Sequence, residues 1–190
     1  FPAVAQTVYT VGVQNTTSST TYPLALGTAY SYSQVIYTPA ELNIPVGTVI
    51  TKIAYLPTSA TVATGTALAT TTTWNSAKDW VVYMGNTTAS NFAGTTASDW
   101  LPVSGMAQVF SGVAPIPLSN TWLELTLATP FTYTGGNLVI AVDENSAGTL
   151  STSWAAFAGG ANFRSIYYSS STTNFNPSLP ISAISRSTVR

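Results

Sequence analysis

Asp143 and Glu144 are the only adjacent carboxylates in this chain, and with Asn145 they follow the apolar run Leu138-Val139-Ile140-Ala141-Val142. Two carboxylates suggest glycoside hydrolysis, which needs both acids on one groove about 5 to 9.5 Å apart. Neighbours on a strand point to opposite faces, so this pair cooperates only where the strand ends and the pleat is lost. The same oxygens suggest calcium, with Asp143 and Asn145 as ligands. Against a metal stands the lack of a third nearby carboxylate, and the preferred expectation is a turn in which Asp143 and Asn145 bond the backbone. No cofactor is expected, with calcium kept as an alternative.

Histidine and cysteine are both missing. Their absence removes Ser-His-Asp and Cys-His nucleophiles, imidazole acid/base catalysis, disulfides and the usual zinc and copper sites. A Ser-Lys pair would need Lys52 or Lys78, and neither sits in a nucleophile motif. The chain is therefore read as non-catalytic. Binding remains, through aromatic rings that stack on the apolar face of a sugar. Trp80, Trp122 and Trp154 fall in predicted strands and most such rings are expected in the core, whereas Trp74 and Trp100 stand in loop-like sequence and are the candidate ligand-binding residues.

Short runs rich in Val, Ile, Thr and Tyr, separated by Gly, Pro, Asn and Ser, must position these groups. Strands are predicted at 7–13, 31–37, 49–56, 80–84, 107–113, 122–127, 137–142, 153–157 and 165–168. About nine strands predict an all-β, two-sheet antiparallel β-sandwich, jelly-roll or Ig-like, filling a single domain over 1–190. Leu123, Leu125 and Leu127 share one face against Trp122, Glu124 and Thr126, while Leu138–Val142 is apolar on both faces and belongs centrally. One short helical turn is signalled near 38–43 by Thr38-Pro39-Ala40-Glu41, a capping box with proline at the first position. The Ala/Thr-rich stretch 58–73 reads as a hairpin or a long loop, with the hairpin preferred. Polar loops are expected at 15–21 and 169–176.

Six acidic and five basic residues, scattered singly, leave Thr, Ser, Asn and Gln to hydrate the surface. Such a surface suits neither nucleic acid nor an anionic membrane, and no apolar run approaches the roughly 18 residues of a span. Ala3-Val4-Ala5 fits a signal-peptide cleavage site, so residues 1–6 are either a signal-peptide remnant or an extended apolar arm.

The ordered set Trp80-Val81-Val82-Tyr83-Met84-Gly85-Asn86-Thr87-Thr88, Asp99-Trp100-Leu101-Pro102-Val103, Gln108-Val109-Phe110-Ser111-Gly112, Thr129-Pro130-Phe131-Thr132-Tyr133, Asn137 to Asn145 and Arg164-Ser165-Ile166-Tyr167-Tyr168 resembles a β-sandwich module recurrent in exported, type IX-secreted surface proteins of Bacteroidetes. The resemblance spans about 22–186. It implies a secreted or bacterial cell-surface location and a role in adhesion or as an accessory to secreted enzymes, and it carries no catalytic residues. Similar modules run past Ser185–Arg190 into one more apolar strand. An unfilled groove there would be open to strand addition by a neighbouring copy's arm, through Phe1, Val4, Val8 and Val11, generating a head-to-tail filament. The alternatives are that the sequence simply stops early or that a strand already counted closes the sheet.

Overall fold

Strands supply nearly all the regular structure of the computed structural model, which describes residues 6–12, 17–61, 79–115, 117–157, 163–179 and 185–187. They are β1 (Thr17–Ser19), β2 (Tyr30–Tyr37), β3 (Val49–Tyr55), β4 (Pro57–Thr61), β5 (Asp79–Thr87), β6 (Ala107–Val113), β7 (Leu123–Thr132), β8 (Asn137–Glu144), β9 (Ser151–Ala156), β10 (Ser165–Ser170) and β11 (Ser185–Ser187). The helical turn α1 (Pro39–Leu42) forms where its capping box predicts, and two single turns of 3-10 helix, Ala97–Asp99 and Val103–Gly105, lie between β5 and β6. Glu41 Oε2 accepts the Thr38 amide at 2.8 Å, and Asn43 closes the turn in the left-handed conformation.

One layer is a six-stranded antiparallel sheet in the order β11-β10-β2-β8-β5-β6. The facing layer comes in two pieces, β1-β9-β4 and β3-β7, rather than the one continuous sheet a two-sheet sandwich would have. Leu56 joins β3 to β4, and its carbonyl accepts the Ala155 amide at 2.7 Å, so the two pieces are stitched along one stretch of chain. Pairing of β3 with β7 jumps from Ile50↔Phe131 to Lys52↔Thr126. The extra residues of β7 there include Pro130, which has no amide to give a ladder and is accommodated at such an irregularity.

The core between the layers follows the alternation of the sequence. Leu123, Leu125 and Leu127 point inward from β7, Trp80, Val82 and Met84 from β5, and Leu138 and Val142 from β8. Trp154 packs edge-on against Trp80, with ring centroids 6.1 Å apart, and donates its indole N–H to the Leu24 carbonyl at 3.1 Å. Strand β8 lies between β2 and β5, as a run apolar on both faces requires.

The outer face of the six-stranded sheet is covered too. Residues 88–106, between β5 and β6, cross it as a strap, with Phe92 against Ile36, Val139 and Ile166, and Val103 beside Tyr32 and Ala141. Gln34, fully buried, fastens the strap: its amide donates to the Leu101 carbonyl at 2.7 Å and accepts the Leu101 N–H at 2.9 Å.

Several predicted elements differ. Residues 7–12 form no strand, because no neighbour pairs with them and Gly12 turns the chain with φ +87°; β propensity alone does not make a strand without a partner. Residues 17–19, expected in a loop, are a strand because β9 offers them an edge. Pro57–Thr61 pairs with β9 as strand β4, and the rest of the stretch expected as a hairpin, 62–73, lies outside the described residues. Strand β10 continues to Ser170, two residues into the expected polar loop. Ser185–Ser187 forms β11 along half of β10, at the edge where an unfilled groove was expected.

Candidate functional site

Strand β8 carries its ladder through the acidic pair. Asp143 stands opposite Tyr32 and Val81, and Glu144 opposite Ser31 and Trp80. The pleat is therefore intact where the turn was expected, and the carboxylates face opposite sides of the sheet: Glu144 shares the core face with Trp80, and Asp143 the outer face with Tyr32. Two acids separated by a sheet cannot flank one scissile bond.

Both acids are buried, Asp143 2% and Glu144 0% exposed. Glu144 Oε1 accepts the Ser146 amide and hydroxyl, each at 2.7 Å, while its Oε2 has no partner. Asp143 Oδ2 accepts the Asn145 side-chain N–H at 2.8 Å, while its Oδ1 has none. Burial pushes each carboxyl up to about 7, opposed by the Asn145 bond at Asp143 and by the Ser146 bonds at Glu144.

Asp143 opens onto a shallow pocket of about 460 Å³ on the outer face, at the end of β5, β6 and β8. Its floor is Asp79, Val81 and Tyr83 of β5 with Ser111 and Gly112 of β6, and Phe175, Asn176 and Pro177 form a rim. Phe175 is fixed by Tyr168, edge to face at 4.0 Å. Sequence reading finds Asp143 but not Tyr83, Ser111 or Phe175. Nothing local in their sequence points at a pocket; only the strand order brings them together.

The calcium candidates sit apart in function: Asn145 turns a donor, not an oxygen, toward Asp143. No group of three or more His, Cys, Asp or Glu side chains able to hold a metal occurs among the described residues. Trp100 is half-buried, one ring face stacked on Tyr32 at 4.9 Å and the rest packed on the clusters under the strap, so it anchors the strap. Trp74, Phe1 and Val4 lie outside the described residues. Among the described tryptophans Trp122 is the most exposed, at 44%. It lies two residues before Glu124, which pairs with Lys52 at 3.1 Å.

Of the arm, Val8 is 81% and Tyr9 42% exposed. Val11 packs on its own core and is not free to leave, a correction to its place in a donated arm. Gln6 reaches Thr51 of β3 at 3.4 Å, the long end of a hydrogen bond. Among the described residues β6 forms a hydrogen-bonded ladder only with β5, and it lies close to β7 of the facing layer without a ladder between them. Comparison of the chain with family models, curated proteins and solved structures gives no match.

Proposed function

We propose that this chain is a non-catalytic structural or adhesive module of the bacterial cell surface, secreted, and associating with copies of itself by strand addition into a filament or within a longer adhesin. The observation that carries the reading is the arm. Residues 6–10 are exposed, belong to no strand, and display Val8 and Tyr9 to solvent. An exposed segment outside any strand, with Val8 and Tyr9 turned to solvent, supports pairing with a sheet edge elsewhere, where its amides gain partners and its side chains gain cover. Strand β6, the last in the order of the six-stranded sheet, seven residues long and with Val113 45% exposed, is the acceptor we assign. Donor and acceptor are different segments of the chain, so the contact is heterologous and its repetition gives an open chain of copies. The scarcity of ionisable groups and the resemblance to exported Bacteroidetes modules support the location.

Removing residues 1–10, which leaves Val11 on its core, tests this directly. Light scattering and negative-stain microscopy are expected to show the intact chain as concentration-dependent oligomers and the shortened chain as monomer. An unchanged oligomeric state after truncation defeats the proposal.

A second reading, a carbohydrate-binding accessory module, draws on the exposed ring of Trp122 beside the Lys52–Glu124 pair. Glycan-array binding lost on Trp122→Ala or Trp74→Ala, with assembly unaffected, would favour it.

A further inference from the structure

The pocket at the end of β5, β6 and β8 is independent of the arm, and its chemistry is more specific. Asp143 is 98% removed from solvent, yet one of its oxygens has no donor. A buried acceptor left unmatched is a standing invitation to a donor brought from outside. The described lining holds a second carboxylate, Asp79, and no lysine or arginine. Two rings, Tyr83 and Phe175, stand in the same wall and rim.

We propose that this pocket binds a cationic hydrogen-bond donor, a guanidinium or primary ammonium group, with Asp143 Oδ1 as its acceptor, Asp79 as its second charge and Tyr83 and Phe175 against its face. Acid and aromatic together select a cation over other donors. The carboxylates supply Coulomb attraction that a neutral hydroxyl does not feel, and the rings supply the negative face that a cation uses and an anion avoids. The two carboxylates alone are too few for calcium, which takes six to eight oxygens. The open mouth suits the end of a long side chain as well as a free small molecule, and the recognised chemistry is the same for both.

The test is two-dimensional NMR of the intact chain titrated with N-acetyl-L-argininamide and, separately, n-butylammonium, with methyl glucoside and calcium chloride as comparison probes. Saturable shifts confined to Asp79–Tyr83, Ser111–Gly112, Asp143–Asn145 and Phe175 are expected for the two cations. Binding should weaken at least tenfold in Asp143→Asn, whose shape is conserved, and severalfold in Phe175→Ala. No saturable shift at these residues with either cation up to 50 mM overturns the proposal. Unchanged binding by Asp143→Asn, or an equal or stronger response to methyl glucoside or calcium, overturns it as well. Asp143→Asn is checked for an unchanged amide fingerprint first; if it misfolds, Asp79→Asn replaces it with the same tenfold criterion. Shifts at the same residues on raising protein concentration alone, abolished by N-acetyl-L-argininamide, identify a basic side chain of another copy as the source. Their absence, with cation binding intact, identifies a separate ligand.

Discussion

Asp143 and Glu144 each leave one oxygen unmatched inside the protein, and that has a measurable consequence. Desolvation raises both carboxyls, from 3.8 and 4.5 to about 7. A raised acid binds its proton more tightly in the folded than in the unfolded state. Its contribution is therefore fully present below about pH 4 and is lost as pH climbs toward 7, where folding must bury a charge. Each shift corresponds to roughly 3 to 4 kcal/mol between the two limits. Denaturant midpoints are expected to fall between pH 4.5 and pH 8, with Asp143→Asn and Glu144→Gln each flattening part of the slope. A midpoint that rises over this range would show that neither group is desolvated as described. The sequence announces these two acids by placing them after an apolar strand; it cannot announce their burial, because Tyr32, Val81, Ser31 and Trp80, which flank them, come from strands far away in the chain.

Among elements, those whose pattern is self-contained are the legible ones. The alternation Leu123, Leu125, Leu127, the two-faced run of β8 and the capping box at Thr38 each encode their own structure, and each forms as read. Elements that depend on a neighbour are not legible in this way: Thr17–Ser19 becomes a strand because β9 has a vacant edge, and 7–12, richer in Val and Tyr, does not because no edge receives it. The strap 88–106 is the largest surprise, since nothing in its polar sequence says that it lies flat on a sheet. Its attachment turns on Gln34, which bonds the Leu101 backbone twice and the Tyr32 hydroxyl once. Gln34→Leu removes those bonds and leaves the Leu101 amide and carbonyl buried without partners, at a cost of about 2 to 4 kcal/mol. Amide exchange across 97–106 and the emission of Trp100, freed from Tyr32, are expected to report the loosening while the core strands stay protected. Equal loss of protection everywhere would mean that strap and sheet unfold as one unit.

At the scale of the molecule, the proposed assembly turns on β6 as its acceptor. A charge placed there, as in Ala107→Lys, at an exposed β6 residue outside the pocket, adds an ammonium to an edge that another strand must approach closely. Assembly is expected to fall while the denaturation midpoint changes by less than about 0.5 kcal/mol, as for other exposed positions; sedimentation velocity separates the two effects. Strand order has a further result, concerning time. Strand β2 is held between β8 and β10, so its hydrogen-bonding partners on both sides are encoded more than ninety residues downstream. During synthesis at about 5 to 20 residues per second, β2 waits on the order of 5 to 20 seconds before β8 exists to receive it. Nascent fragments ending before Asn137 should accordingly remain protease-sensitive and threadable, and commitment to the native state comes late and all at once, a timetable compatible with the export proposed above.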